Sequence, residues 1–551
     1  MAATVAEGNP RVVMVAAECR GLAKVGGLAD VVRDLSAALV ARWVPVTLVL
    51  PCYDQMLPGG DESDRFEVQF GERNDWPVTV YRRELDGVTC YLLRSEEFFG
   101  GDYGQVYIDS DRLGRGPFED DAKRFAFFSA AVAEFIARHP EWQATALHCH
   151  DWHTGTLLVL LRYDGRYGRL GRTLRTLFTI HNLDYQGTRP FEPVAESEER
   201  PLLSFAEWFP ALYRFLESGD LLGPLTDTHI SLPSYNPMRA GILLADEVNT
   251  VSPTYAREIT RPDDPARNRV GGRGLERDLA SRGSHLHGIL NGLDYAENDP
   301  RLLKPPFDAS LRGWKRARRQ HKRDLLENLP ALLRAMAERP RGLRNADVVL
   351  PKLSAFQPED WQDKLLVVAV TRAVRQKLSI LLEPVDDGVS VLQAMLKRDI
   401  YFILFGTGEL QDELEELNRL PNGLFVCGFD ADFALRLYAG GDLFLMPSDF
   451  EPCGISQMIA MRYGCLPLVS NVGGLADTVE DGRTGFVYSG EDRRAARQAL
   501  LDTLDRVRAL YRKSKTAWRE MQLQAMTARF EWADSAEQYI GLYGGQGSES
   551  Q

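Results

Sequence analysis

The sequence predicts an α/β protein of two Rossmann-like, doubly wound domains that face a central cleft. In both halves of the chain, short apolar runs rich in β-forming residues alternate with helix-like stretches, the pattern of parallel strands joined by crossover helices. That alternation stops over residues 297 to 362, which are rich in Arg, Lys, Pro and Leu, and starts afresh at Leu365. With 551 residues, the chain is also too long for one ordinary core.

The first strand signal is Arg11 to Ala17. It leads through Glu18-Cys19-Arg20-Gly21-Leu22-Ala23-Lys24-Val25-Gly26-Gly27 to a run in which Leu28, Val31, Val32, Leu35, Ala38 and Leu39 recur at helical spacing. A strand, a Gly-rich loop and a helix start make an anion cradle, to which Lys24 adds a full positive charge beside Gly26 and Gly27. The loop matches neither the dinucleotide fingerprint nor the P-loop. Val46 to Pro51 reads as a strand and Asp121 to Ala137 as a helix. Asp109-Ser110-Asp111 imitates a metal-binding Asp-x-Asp pair, but its Gly- and Asp-rich setting reads as a turn.

Ala146 to His153 contains His148, His150, Asp151 and His153 at a strand end. Two readings stay open here, a metal site and hydrogen bonding to a polar ligand. On a strand His148 and His150 share a face, and no second ligand cluster completes a closed shell. The strand Thr176 to Ile180 ends in His181-Asn182, a further polar cluster at a strand end. Residues 188 to 235 are irregular, Pro-rich and aromatic, which suggests a long surface excursion or flap. Ala245 to Ser252 resumes the strand pattern, and Leu290-Asn291-Gly292-Leu293-Asp294 closes the first half with a turn.

A basic helix is predicted from Arg312 to Leu329, stopped by Pro330 and presenting its charges to solvent. Five strands follow: Leu365 to Val370, Tyr401 to Phe405, Leu424 to Cys427, Leu443 to Met446 and Leu466 to Ser470. The strand ends carry Arg372 and Lys377, two fixed cations suited to a leaving diphosphate or else surface charges, and Gly406-Thr407-Gly408, which reads as a turn. Glu451 lies between the strand Leu443 to Met446 and a helix from Ile455 to Tyr463 capped by Gly464, followed by Gly473 and Gly474. A carboxylate at such a turn is placed where open α/β sheets bind ligands. The domains expected are 1-296, a basic helical and linker segment 297-362, a second domain 363-528 and a terminal segment 529-551.

A formal charge of −13 argues against nucleic acid or an anionic membrane as partner. Met1 to Pro10 lacks a basic segment followed by an apolar core, and no later run approaches a membrane span, so a cytoplasmic protein is expected. Seven cysteines without metal-type spacing fit reduced thiols.

Taken together, Lys24-Val25-Gly26-Gly27-Leu28, His150-Asp151-Trp152-His153, Thr179-Ile180-His181-Asn182, Val251 to Ala256, Asn291-Gly292-Leu293-Asp294, Arg372 with Gln376-Lys377, Glu451-Pro452-Cys453-Gly454 and Gly473 to Val479, including Thr478, resemble the bacterial glycogen synthases and plant starch synthases. The resemblance covers almost the whole chain. It implies a retaining glucosyltransferase of the two-domain GT-B arrangement that moves glucose from ADP-glucose to the non-reducing end of an α-1,4-glucan, with no cofactor and no metal. It further implies that Lys24, Arg372 and Lys377 bind the donor's phosphates, and that Glu451 holds the transferred glucose. Asp151, His181 and Asn291 would line the sugar side, and a terminal helix containing Trp532, Ala536 and Tyr539 would return to the first domain. Departures are Leu378 where the family has Gly, Ala373-Val374 for Leu-Thr, and Met238-Arg239 for Leu-Lys. A metal-dependent hydrolase built on the histidine cluster and a glucan-binding regulator without turnover are the rival readings.

Overall fold

A computed structural model describes residues 9–57, 60–108, 119–194, 202–339, 342–353, 364–385 and 388–544. The chain divides into two compact units, Met1–Pro262 with Gly271–Gly292 and Glu531–Gln551, and Asp263–Val270 with Leu293–Phe530.

The first unit is built on a nine-stranded sheet. Its strands are β1 (Val12–Val15), β2 (Val46–Pro51), β3 (Asp61–Phe70), β4 (Arg73–Leu85), β5 (Val88–Arg94), β6 (Ala146–His150) and β7 (Arg175–Ile180), while β8 (Arg189–Pro190) and β9 (Ser234–Tyr235) form a separate pair; β10 (Glu247–Thr250) and β11 (Leu286–Gly288) complete the sheet. The order is β11-β10-β7-β6-β1-β2-β5-β4-β3, parallel except at the β3–β4 and β4–β5 pairs. Every residue of β1 is buried, as an all-apolar strand covered on both faces must be. Helix α1 (Gly27–Val40) turns Leu28, Val31, Val32, Leu35 and Leu39 inward, and α2 (Glu119–Arg138) buries Phe125, Phe128, Val132 and Phe135. The C-terminal helix Trp532–Gly544 belongs to this unit and buries Trp532, Ala536, Tyr539 and Tyr543 in its core. Strand order reverses at β1, flanked by β2 and β6, so the loops after β1 and β6 open on the unit's topological switch point.

The antiparallel β3–β4 hairpin is not expected from the sequence. Asp61-Glu62-Ser63-Asp64 is wholly polar and apolar alternation starts only at Phe66, as suits a sheet edge with exposed side chains. The expected surface excursion at 188 to 235 is also corrected among the described residues. Phe191, Phe205, Trp208, Phe209 and Tyr235 are all buried there, and the segment includes helices Phe205–Trp208 and Pro210–Ser218. Short helices separated by a proline carry too few turns to show a period, but the aromatic burial, at roughly 1.5–3 kcal/mol per large side chain, holds the segment on the core.

The second unit has six parallel strands in the order β14-β13-β12-β15-β16-β17. They are β12 (Leu365–Val370), β13 (Ile400–Phe405), β14 (Gly423–Val426), β15 (Leu443–Met446), β16 (Leu466–Ser470) and β17 (Phe486–Tyr488). The five expected strands are present, and β17, three residues long, is the one the pattern does not reveal. Here the order reverses between β12 and β15, which makes the loops after those two strands the second switch point. Two expectations about helix α3 (Trp314–Ala337) are corrected. Pro330 lies inside it and does not end it. An interior proline costs about 3 kcal/mol, which burial of Leu326, Leu329, Leu333 and Met336 exceeds. Nor are all its charges solvated. Arg318 and Lys322 are buried, Arg318 donating to the carbonyls of Ala439, Gly441 and Tyr463, and Lys322 pairing with Asp442 at 2.6 Å.

Candidate active site

In the first unit the loop after β1 is organised by a carboxylate. Glu18 is buried and accepts the Val25 N–H at 2.5 Å, the Gly26 N–H at 2.9 Å and the Tyr107 hydroxyl at 2.7 Å. Two amides of the expected anion cradle therefore serve to shape the loop. What remains for a ligand is Lys24, half exposed with Nζ 2.7 Å from both oxygens of Asp30, and the open space over Gly27, where an added Cβ would meet nothing within 4 Å.

Beyond β6 the backbone itself is strained. Asp151 has φ 56° and ψ 179°, a region almost confined to glycine and costing of order 1–3 kcal/mol for another residue. The conformation aims its carboxylate at the loop after β7, where Oδ1 accepts the His181 N–H at 2.7 Å. Burial pushes the Asp151 carboxyl up to about 7, against the opposing pull of the His181 and Asn182 amides. Burial likewise holds His181 and His153 down near 3, so both imidazoles are neutral at pH 7.

The histidine cluster resolves into separate roles. His148 is saturated, with Nδ1 2.8 Å from the Tyr543 hydroxyl and Nε2 2.6 Å from Thr179 Oγ1, which continues to Asn249 and Tyr539. His150 and His148 do share a face, with ring centroids 4.1 Å apart, and His150 Nδ1 lies 2.9 Å from His181 Nε2. Two nitrogens of His148 committed to the core leave it none for a metal, which takes one of the four residues out of the hydrolase reading. Among the described residues no group of three or more His, Cys, Asp or Glu is arranged around a metal position. Asp109-Ser110-Asp111 lies outside the described residues. Asn182 turns its Oδ1 to the Asp184 N–H at 3.0 Å, closing a local turn. Asn291 is buried on the loop after β11 with Oδ1 unpartnered among the described residues, and its neighbour Gly292 packs against Trp532 too closely for a Cβ.

In the second unit the predicted residues converge. Glu451, on the loop after β15, and Lys377, in helix α4 (Arg375–Leu382) after β12, form a buried ion pair, and Ser448 Oγ donates to the same carboxylate oxygen at 3.2 Å. The helix is tied to the loop a second time, through Gln376 Nε2 to Phe450 O at 3.0 Å and Asp449 N to Gln376 O at 2.9 Å. Arg372 is exposed and makes no side-chain hydrogen bond or ion pair among the described residues. Its loop is held by the Gly406-Thr407-Gly408 turn. A Cβ at Gly406 would overlap Thr371 O and one at Gly408 would overlap Ala373 O, while Ala373 N donates to Thr407 O at 2.9 Å. These glycines serve close backbone approach as well as the turn.

Gly473 and Gly474 open helix α5 (Ser456–Arg462)'s neighbour α6 (Gly473–Thr478), and Gly474 N donates to Glu451 O at 3.0 Å, with no room for a Cβ against Cys453 O. Gly454 takes φ 75° and Gly464 φ 65°, the latter as the expected cap. Thr478 Oγ1 donates to Gly474 O at 2.7 Å and accepts from Gln457 Nε2 at 3.1 Å. Gln457 is fully buried with Oε1 unpartnered among the described residues, and its Nε2 binds the Cys453 and Gly454 carbonyls; it and Ser448, which bonds Glu451, are residues of this loop and the helix after it that sequence reasoning missed. A polar side chain in a helix's first turn carries no signal that distinguishes a cap from a site.

The departures from the family pattern fall away from these groups. Ala373 and Leu378 are fully buried in the apolar core of the second unit. Arg239 binds Asp278 at 2.7 Å and the carbonyls of Gly223 and Thr226, fastening the 188 to 235 segment to its neighbours. Restoring the usual glycine should therefore harm folding. Leu378→Gly is expected to cost about 3–5 kcal/mol through the cavity it opens and the added chain entropy, read as a lowered denaturant midpoint; a variant as stable as the parent would contradict this packing role.

The chain is similar to known proteins along nearly its whole length. Residues 11–281 match the family described as starch synthase catalytic domain, and residues 364–506 match glycosyl transferases group 1. The chain is 35% identical to the glycogen synthase of Gloeobacter violaceus, over 97% of this chain and 98% of the relative, and 33% identical to glycogen synthase 2 of Geobacter sulfurreducens, over 97% and 98%. Among solved structures, the catalytic domain of starch synthase IV from Arabidopsis thaliana, bound to ADP and acarbose, aligns at TM-score 0.72 with 28% identity, covering 97% of this chain and 99% of that one. Sucrose-phosphate synthase from Thermosynechococcus elongatus, at 17% identity and TM-score 0.52, shares the fold alone. The chain belongs to the glycogen synthase and starch synthase family of glycosyltransferases.

Proposed function

We propose that the chain transfers glucose from ADP-glucose to the non-reducing end of an α-1,4-glucan, with retention of configuration. The observation that carries this reading is the buried Lys377–Glu451 pair, with Arg372 exposed on the loop after β12, at the switch point of the second unit. As the glucosyl-phosphate bond breaks, positive charge grows at the anomeric carbon and negative charge on the leaving diphosphate. Arg372 and Lys377 stabilise the diphosphate, and Glu451 accepts hydrogen bonds from the sugar hydroxyls and orients the ring. The acceptor 4-hydroxyl attacks on the face the diphosphate leaves and its proton passes to the departing phosphate oxygen, so the new bond keeps the old configuration. From the first unit, Lys24 adds charge for the phosphates, and Asp151, neutral His181 and Asn291 supply hydrogen bonds to sugar.

A regulator without turnover was suggested by the changes at Ala373-Val374 and Leu378; burial of Ala373 and Leu378 in the core takes that support away. The seven cysteines are buried and none is in a disulfide among the described residues, which suits the reducing cytoplasm proposed as the place of action. Among the described residues no helix is long and apolar enough to cross a membrane.

Radiolabelled ADP-glucose and glycogen should give labelled polymer with the pure protein, and UDP-glucose should be a poorer donor. Because fixed cations already face the diphosphate in this reading, transfer should persist after dialysis against EDTA. Activity lost on chelation and regained with zinc or manganese would overturn the metal-free mechanism, and no label in glycogen under any condition would overturn the transferase reading itself.

A further inference from the structure

A hollow of about 250 Å³ in the second unit is lined by six cations and one carboxylate. Helix α3 contributes Lys315, Arg318, Arg319 and Lys322, the i, i+3, i+4, i+7 positions of one face, and the helix Lys515–Thr527 contributes Lys515 and Arg519 at i and i+4. The carboxylate, Asp442, is already bound by Lys322 and also accepts the Leu366 N–H at 3.0 Å. Arg318 is spent on backbone carbonyls, which bring no neutralising charge. Lys515 stands 3.6 Å from the centre of the Tyr511 ring. Lys315, Arg319 and Arg519 have no carboxylate partner among the described residues.

Like charges converging in a concavity repel one another, and the chain as a whole is acidic at −13, so the cluster is no sample of the average surface. Arg318 and Lys322 brace the unit through those carbonyls and Asp442; Lys315, Arg319 and Arg519 take no part in those bonds. Trp314, Tyr511 and Trp518, which also line the hollow, are buried, with the Tyr511 and Trp518 rings edge-on at 5.0 Å between centroids. A focused positive field in a hollow of this size is suited to a small multiply charged anion.

We propose that this hollow binds phosphate, free or as the monoester of a small sugar. It is separate from the catalytic groups. Lys322 donates to Lys364 O, the residue before β12, and pairs with Asp442, the residue before β15, so the hollow lies under the N-terminal edge of the sheet. Arg372 and Glu451 follow the C-terminal ends of the same two strands. The six residues of β12 separate the two edges by about 20 Å at 3.3 Å per residue.

The test is calorimetric titration of the full chain with inorganic phosphate, glucose 6-phosphate and glucose at low ionic strength, in the parent and in an Arg319→Ala/Arg519→Ala variant. Loss of two charged donors should weaken phosphate binding about tenfold or more, with affinity for ADP unchanged. Glucose should not compete. The ratio of the two phosphate affinities then tells whether the free ion or the sugar ester is preferred. As a second readout in the parent alone, Lys315 and Lys515 should be protected from acetylation by the preferred phosphate and not by glucose. Absence of binding, undiminished binding in the variant, or unprotected lysines at saturation would each overturn the proposal.

Discussion

Lys377→Ala should lower kcat by about a hundredfold and, separately, lower the melting temperature of the free protein. The first effect is the loss of one preorganised cation facing the leaving diphosphate, a contribution of roughly 3 kcal/mol in comparable sites. The second has another origin. Lys377 and Glu451 are only 9% and 6% exposed, so removing the ammonium strands a carboxylate in a dry environment. Breaking a buried pair from one side costs about 3–5 kcal/mol. The double variant Lys377→Ala/Glu451→Gln removes the stranded charge, and should regain much of the melting temperature while staying inactive. Glu451→Gln alone keeps an oxygen for Ser448 Oγ but leaves the Lys377 ammonium without its counter-charge, and should be inactive and melt below the parent. Parent-like activity in Lys377→Ala would take Lys377 out of the reaction. A double variant no more stable than the single one would show that the stranded charge is not the source of the instability.

The acid limb of kcat/KM should have an apparent pKa of about 7 that disappears in Asp151→Asn. The free enzyme's Asp151 carboxyl is raised to about 7 by burial, so its ionised, stronger hydrogen-bonding form is lost as pH falls through that value. Asp151→Asn should cost tenfold or more in kcat/KM, the scale of one charge-assisted bond replaced by a neutral one. The same shift predicts stability. A carboxyl whose folded pKa lies above its ordinary 3.8 binds more protons folded than unfolded between those values. Its contribution is therefore full below about pH 4 and declines as pH rises to about 7. Thermal melts across this window should show that decline in the parent and a shallower one in Asp151→Asn. Asp151→Gly, which tolerates φ 56° and ψ 179°, should melt at or above the Asn variant while being no more active. An unchanged acid limb in Asp151→Asn would assign the titration to another group.

The sequence by itself determined the strands on which these groups sit and the loops that carry them. Apolar runs such as Val12–Val15 and Leu365–Val370 are buried on both faces and so announce themselves in any setting, and glycines such as Gly464 mark left-handed caps that few other residues adopt. Polar residues just beyond such runs, Asp151, His181, Arg372 and Glu451, could be named because strand ends are where a parallel sheet presents side chains to a ligand. Other features were decided only by tertiary structure, since they depend on partners distant along the chain. The Lys377–Glu451 pair joins residues 74 positions apart, and His148 is withdrawn from metal binding by a tyrosine 395 positions away. The helix passes through Pro330 because long-range burial outweighs a local penalty, and the aromatic segment after residue 188 is packed because the first unit's core offers it an apolar surface. The convergence of α3's basic face with Lys515 and Arg519 belongs to the same class. Periodicity along one helix reports which residues share a face, and only the packed fold decides what that face meets.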